Sequence, residues 1–328
     1  MHESVVTLFR RTRDVSTGAA LATAAISAVL LASGIGGSAQ WQVWFAVIAL
    51  AAGIPHGAMD HVVTVPGMQP ARMALFITGY LAVVALAIVA ILTWNVLGFA
   101  LVVLMSAVHF GIGDAAFSRE LARAQSPATT RAPWWVYAIP AGALPVVVPL
   151  TSQQADDALE FVNPLLRDWH QGVGPYALWA SVLAGVVAII WLVLRGHYRD
   201  ALDVVALGAL ALLAPPLVAF AVYFGFWHAQ RHTARLVLEM PDAITRSRDH
   251  SPAAGFIRAV LPGLPALLGT MVVAAALTMI TGGDLQANYL WIALVVVWAL
   301  TVPHMALTWR LDRDALGAHQ TDRAVLSG

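Results

Sequence analysis

The chain has 328 residues, of which 59% are hydrophobic and 11% charged, and its mean hydropathy is +0.75. Soluble domains carry about 25% charged residues, so this composition excludes an ordinary soluble protein and indicates one that crosses a membrane repeatedly. A net charge of zero without any basic block gives no sign of nucleic-acid binding, and the absence of cysteine and lysine excludes thiolate ligands and a rhodopsin-type Schiff base.

Apolar runs of about 17 to 25 residues follow one another along the chain, and each is long enough to cross the hydrocarbon core as a helix. They predict an all-α fold, a polytopic transmembrane helical bundle of about ten spans, with eight or nine still open. The predicted spans are residues 18–37, 41–61, 72–94, 96–117, 133–150, 175–194, 201–214, 216–238, 262–281 and 288–309. We assign residues 1–17 and 311–328 to cytoplasmic tails and residues 18–310 to one transmembrane domain.

The arginines indicate how the spans are oriented. With the N-terminus in the cytoplasm, nearly all of them fall on the inner side and only Arg167 lies outside, as the positive-inside rule requires. We therefore predict a multi-pass protein of the cell (inner) membrane with both termini cytoplasmic.

Two segments depart from simple spans. Residues 201–214 are short, contain Asp203 and run into a Pro-Pro pair, which predicts a re-entrant or broken helix. In the long outer loop, residues 151–174, the pattern DDALEFVNPLLRDW predicts an amphipathic helix at the membrane interface.

The stretch FWHAQRHTAR, residues 226–235, places two histidines four residues apart in an apolar span. On a helix the side chains of His228 and His232 project from one face, about one turn apart, which is a metal-ligand geometry. Ionisable groups inside a span are costly, and two imidazoles on one apolar face are unfavourable without something to share, so the pair predicts a metal site. We interpret Arg231 and Arg235 as snorkelling residues near the inner end of the span.

Three other spans carry histidines at a similar predicted depth. Their motifs are GIPHGAMDH at residues 53–61, HFGIGD at residues 109–114 and VPHM at residues 302–305. A single histidine in a span is more often a hydrogen-bonded packing residue than a ligand, so the residues alone leave His56 and His109 open. We interpret His61 and His304 as supporting or packing groups.

Two carboxylates accompany these motifs. Asp60 and Asp114 are expected to accept the second ring hydrogen of a ligand histidine and so fix its tautomer. Neutral imidazoles suit iron, copper, zinc or nickel, and spacing does not choose among these metals.

Taken in chain order, GIPHGAMDH, HFGIGD, FWHAQRH and VPHM resemble the Brp/Blh family of membrane β-carotene 15,15′-dioxygenases, over roughly residues 50–310. The resemblance implies that residues 18–310 form a catalytic domain that cleaves the central double bond of β-carotene with dioxygen. Two molecules of all-trans-retinal would result, available to a retinal-binding rhodopsin. A hydrocarbon substrate that partitions into the lipid bilayer agrees with a site among transmembrane helices.

The resemblance also implies a non-haem iron, Fe(2+), held by four histidines, each matching the family's histidine at its own motif. By motif these ligands are His56, His109, His228 and His232. The groups expected to support them are Asp60, His61, Asp114 and His304. No catalytic residue is expected beyond the metal centre, because insertion of dioxygen into an alkene needs no proton from the protein.

Other readings of the histidines remain open. A di-iron desaturase or hydroxylase would need about eight histidines, including an HxxHH cluster that this chain lacks. A transporter or proton-relay protein would instead use intramembrane His, Asp and Arg as an ion path without a redox metal. A family member that binds carotenoid or retinal without cleaving it is the third alternative.

Overall fold

The structure is a computed structural model that describes residues 3–34, 39–59, 69–125, 132–280 and 289–317. We label its α-helices α1 to α14 in chain order. They are Glu3–Ala32, Ala39–Gly57, Pro70–Thr93, Asn95–Gln125, Trp134–Val147, Gln153–Val162, Gly174–Leu194, Tyr198–Leu213, Pro216–Val222, Ala229–Glu239, Pro241–Asp249, Pro252–Val260, Leu264–Ile280 and Tyr289–Gly317. Short 3₁₀ turns join some of them, a π-helical segment, Tyr223–His228, joins α9 to α10, and the described residues contain no strand.

The expected all-α membrane fold is confirmed. Among the described residues, six helical segments are long and apolar enough to cross a membrane: α1, α3, α4, α7, the joined pair α12 and α13, and α14, with α2 and α5 as shorter apolar helices. Large apolar side chains such as Leu86, Leu101 and Ile190 point outward. An apolar exterior is what lipid contact requires, because there is no water to solvate a polar face. The total of ten spans stays a prediction.

Helix α1 begins earlier than the first predicted span. It starts at Glu3, so residues 3–17, predicted as a tail, form its first half and bury Leu8 and Phe9. The charge in this half is accommodated because Arg13 pairs with Asp200 and Asp203 of α8 inside the bundle. At the other end, α14 continues through the start of the predicted C-terminal tail to Gly317.

The predicted irregular segments are helices with breaks. Residues 198–213 form α8, which ends before the Pro215–Pro216 pair, where a new helix begins. Proline lacks the backbone donor that a helix interior needs, so the chain stops and restarts there. The expected amphipathic helix is also present as α6, whose N-terminus is capped by the Ser152 hydroxyl and which buries Ala155, Ala158, Leu159 and Val162.

Helices α4 and α5 approach until their backbones touch. A Cβ atom on Gly111 would strike the Ala138 carbonyl oxygen, and one on Gly142 would strike the Ala107 carbonyl oxygen. Small residues permit this contact in membrane proteins, where close van der Waals packing replaces the hydrophobic drive. The contact fixes α4, and with it His109, against the rest of the bundle.

Candidate metal centre

Five histidine rings meet in the interior of the bundle. They come from α2, α4, the π-helical segment, α10 and α14, and each residue is at most 6% exposed. These residues are His56, His109, His228, His232 and His304. The structure therefore brings together at least one histidine from each of the four sequence motifs, although those motifs are distant in the chain.

The distances between ring centres are similar throughout the cluster. His56 lies 5.7 Å from His228 and 5.2 Å from His232, and these two lie 6.1 Å from each other. His109 lies 5.3 Å from His228. An imidazole bound at about 2.1 Å keeps its ring centre about 3.2 Å from a metal, so two rings about 90–180° apart stand about 4.5–6.4 Å from each other. These four distances fall within that range.

His304 belongs to the same cluster. Its ring centre is 5.5 Å from that of His56, 5.2 Å from His109 and 5.4 Å from His232. The rings of His109, His228, His232 and His304, taken in this order, are each neighbours of the next, and His304 is in turn a neighbour of His109. Ring spacing alone does not separate His304, expected as a supporting group, from the four expected ligands.

Several ring nitrogens in this cluster lack partners within the part of the chain that the structure describes. They are Nε2 of His109, both nitrogens of His228 and Nε2 of His232. A buried polar atom without a partner costs about 1–3 kcal/mol, so several in one place call for a ligand that accepts nitrogen lone pairs. Neutral imidazoles without thiolate fit a divalent metal of intermediate softness, iron(II) included.

The imidazoles lie close together but are not arranged as a complete metal site. Among the described residues, no group of three or more His, Cys, Asp or Glu side chains has the geometry to hold a metal ion as it stands. Binding one ion would require the rings to turn about their terminal torsions, which are broad.

The tautomer of His56 is fixed by its own helix. Pro55 lies inside α2, and the Nδ1 of His56 bonds the carbonyl oxygen of Gly53. A carbonyl only accepts, so Nδ1 carries the hydrogen and Nε2 is left with its lone pair. Backbone carbonyls serve in this way behind many metal-binding histidines.

Asp114, one of the predicted supporting groups, lies beside His228. It is 1% exposed, and its Oδ2 accepts hydrogen bonds from Trp227 Nε1 at 2.8 Å and from the Tyr223 hydroxyl at 3.2 Å. Its Oδ1 lies 3.7 Å from His228 Nδ1 and has no hydrogen-bond partner among the described residues. Gly113 leaves space for the imidazole, since a Cβ atom there would be 3.3 Å from His228 Cε1. One free carboxylate oxygen therefore faces one free ring nitrogen.

The π-helical segment carries these partners. Its wider turn is seen where the backbone N–H of Ala229 bonds the carbonyl of Phe224, five residues earlier. Tyr223, Trp227 and His228 are all buried to 1% exposure or less. Such bulges are frequent at functional sites. Here the extra residue turns an aromatic pair and an imidazole toward Asp114 together.

Arg231 and Arg235 do not snorkel, which corrects the sequence-based interpretation. Each is 1% exposed. Arg231 bonds Asp203 at 3.1 Å and lies 3.7 Å from the centre of the Trp227 ring. Arg235 bonds Glu120 at 2.8 Å and Asp312 at 2.5 Å. Buried charges must be paired, and these pairs tie α10 to α4, α8 and α14.

The arginines share a helix face with the histidines. His228, Arg231, His232 and Arg235 occupy positions i, i+3, i+4 and i+7, which is one inward stripe of a helix. This spacing is the sequence signal for the burial of Arg231 and Arg235, because side chains on the same helix face as two buried histidines cannot reach the lipid interface. The expected supporting groups Asp60 and His61 lie outside the described residues.

A cavity opens beside the cluster. It has a volume of about 230 Å³, and His56, His109 and His304 form part of its wall. Most other wall residues are apolar, among them Leu81, 56% exposed on the outer face of α3. The cavity therefore extends from the histidines to the apolar surface of the bundle.

The hydroxyl groups in this wall are turned into the protein. Tyr80 donates to the Leu300 carbonyl at 3.2 Å, Thr270 to the Ala266 carbonyl at 2.8 Å, and Thr301 to the Val297 carbonyl at 2.8 Å. Satisfied hydroxyls leave methyl and ring carbon for contact. The cavity suits a hydrocarbon better than an ion or a polar solute.

Comparison with known proteins gives two matches. Residues 45–312 match the model of the family described as beta-carotene 15,15′-dioxygenase. A protein of that name from uncultured marine bacterium 66A03 is 32% identical over 193 residues, which are 55% of this chain and 64% of the relative. The matched part of the chain thus spans less than two thirds of the length of that relative. No solved structure matches the chain.

Proposed function

Because the chain belongs to the beta-carotene 15,15′-dioxygenase family, we propose that it cleaves β-carotene at the central double bond and releases two molecules of all-trans-retinal. In this reaction one C=C bond breaks and two C=O bonds form, with one atom of a single dioxygen molecule in each product. No other oxidant or reductant is needed for the balance. We place the protein in the cell membrane with both termini in the cytoplasm, where the retinal is available to a rhodopsin.

We propose iron(II) as the cofactor, held by the four motif histidines. These ligands are His56, His109, His228 and His232. Support comes from the unpartnered ring nitrogens, whose burial is costly unless a metal takes their lone pairs. Iron bound there supplies the activation of dioxygen.

The observation that carries the proposal is the continuity of the histidine cluster with an apolar cavity. Three of the clustered imidazoles line the cavity that reaches the outer surface of α3. A carotenoid dissolved in the bilayer can pass from lipid to the cluster without crossing water. A site reached only through water would not admit such a substrate.

The chain itself binds, orients and shields the substrate. Phe110 and Phe224 stand beside the cluster, with ring centres 4.3 Å from His228 and 5.7 Å from His56 respectively. Their faces offer flat apolar surface to a conjugated chain. The apolar wall excludes water, which limits side reactions of a reactive oxygen centre. Asp114 Oδ1 lies 3.7 Å from Nδ1 of His228, and if the two close to hydrogen-bond distance the hydrogen would stay on Nδ1, which would leave the Nε2 lone pair for the metal.

The proton-relay alternative finds less support. A relay needs carboxylates that gain and lose protons along a path, whereas Asp203 is bonded by Arg13, Thr17 and Arg231. Asp312 is likewise bonded by Arg235. Carboxylates bonded to arginine in this way link helices and are not free members of a proton path.

The test is expression in a β-carotene-producing bacterium, with carotene and retinal followed by chromatography. We expect loss of carotene with about two retinals for each molecule consumed, and no retinal from His228→Ala although the protein is inserted in the membrane. Persistence of carotene beside an inserted, iron-loaded wild-type protein would refute the substrate. Absence of iron as well would favour the relay.

A further inference from the structure

A second apolar cavity adjoins the one at the histidine cluster. It has a volume of about 100 Å³ and lies between α2, α4, α6 and α14. The two cavities have four wall residues in common, which are Phe110, Phe224, Val297 and Thr301. These four residues therefore lie between the two cavities, and Phe110 and Phe224 are also in contact with histidines of the cluster.

The partition is formed mainly by two phenylalanines. The ring centres of Phe110 and Phe224 are 6.0 Å apart, and both residues are buried. Phe224 fits against α2 because residue 53 is glycine: a Cβ atom there would be 2.6 Å from Phe224 Cδ1. The Phe224 ring is therefore packed closely against α2 at the partition.

The far part of the second cavity is closed by α6. Ala155, Ala158, Leu159 and Val162 of this helix line it, and Phe99 and Trp298 face them. The cavity is walled almost entirely by carbon, and the Thr301 hydroxyl donates to the Val297 carbonyl. Ala158 is one of the smallest residues in this wall, and a larger side chain at that position would extend into the cavity.

A symmetric carotenoid cleaved at its centre needs space on both sides of the reacting bond. The first cavity lies between the histidines and the apolar surface of the bundle, on one side of the cluster. Resting on the proposed function, we propose that the second cavity receives the other half, and that Phe110 and Phe224 are positioning residues that set the central bond beside the histidines. The α6 wall then determines how long that half is allowed to be.

The test compares β-carotene with a shortened apocarotenal, β-apo-8′-carotenal, whose polyene is long on one side only. Ala158→Phe fills the second cavity from α6, and Val102→Phe fills it from α4. Asp157→Phe, on the exposed face of α6, is the matched control. The amount of inserted, iron-loaded protein is measured for each variant, and retinal formation is expressed per inserted chain.

We expect both filling variants to lose about tenfold or more of β-carotene cleavage, because there is no room for an added ring, while the apocarotenal is cleaved within about threefold of wild type. The control should cleave both substrates normally. In iron-free protein, the visible absorption of retained β-carotene should fall in the same two variants.

Wild-type rates on β-carotene in both filling variants would overturn the inference, as would equal loss of both substrates. Failure of the wild-type protein to form retinal from either substrate would instead refute the proposed function, so the two failures are distinct.

Discussion

Replacement of Asp114 by asparagine should weaken the metal site without unfolding the bundle. The amide oxygen of Asp114→Asn can still accept from Trp227 and Tyr223, which bond Oδ2 at 2.8 and 3.2 Å. The amide nitrogen, however, would face Nδ1 of His228, 3.7 Å from the present Oδ1, as a donor. The favoured tautomer of His228 then carries its hydrogen on Nε2, which removes that nitrogen as a ligand.

The expected loss of iron(II) affinity is about 10–100-fold, the usual effect of removing a carboxylate behind a metal-binding histidine. This corresponds to about 1.4–2.7 kcal/mol. The assay is an anaerobic iron(II) titration of purified protein against a competing chelator. Tyr223→Phe, which removes one donor and keeps the carboxylate, is the control and should bind within about threefold of wild type. An Asp114→Asn affinity equal to that of the control would refute the role of the carboxylate.

Three further substitutions test other parts of the account. His304→Ala should lower iron affinity by about tenfold or more, because the His304 ring is as close to three other rings of the cluster as those rings are to their neighbours. Unchanged affinity in the same titration would show that His304 is a packing residue. Arg231→Met should destabilise the folded protein by about 3–5 kcal/mol in a thermal-unfolding assay, because it leaves the buried Asp203 carboxylate partly unpaired. The control Arg199→Met, at an exposed ion pair, should cost about 0–1 kcal/mol in the same assay. Gly142→Val should reduce the amount of folded protein, because its side chain would strike the Ala107 carbonyl, and a wild-type yield would contradict the close packing of α4 and α5.

The fold class followed from sequence because membrane spans are long apolar runs. The length of an apolar run does not show whether the polar residues beside it continue the same helix. The sequence therefore did not predict that α1 begins at Glu3. Arg13 is buried, and its partners Asp200 and Asp203 come about 190 residues later in the chain. Such a pairing depends on tertiary contacts that no local pattern contains.

The histidine cluster was largely predictable, since four motifs each placed imidazoles at a similar depth. The exact relation of His304 to the others was not, because it depends on how α14 rotates against α2 and α4. The role of Arg231 and Arg235 was in principle readable from their spacing to His228 and His232. Reading them as snorkelling residues applied a rule for lipid-facing helices to a helix that faces inward.

The cavities were beyond sequence reasoning. Their walls combine motif histidines with residues from α3, α6, α13 and α14 that belong to no motif. Apolar residues in a membrane protein face either lipid or the interior, and composition does not distinguish the two. Only packing shows that Phe110 and Phe224 stand between two spaces beside the histidines.

The most direct test of the central claim is the iron content and X-ray absorption spectrum of the purified protein, recorded for wild type and His232→Ala. The account predicts one iron per wild-type chain, with a shell of imidazole nitrogens, and loss of that iron from a variant that is still folded in the membrane. Wild-type protein that forms retinal without iron, or an iron shell unchanged in His232→Ala, would contradict it.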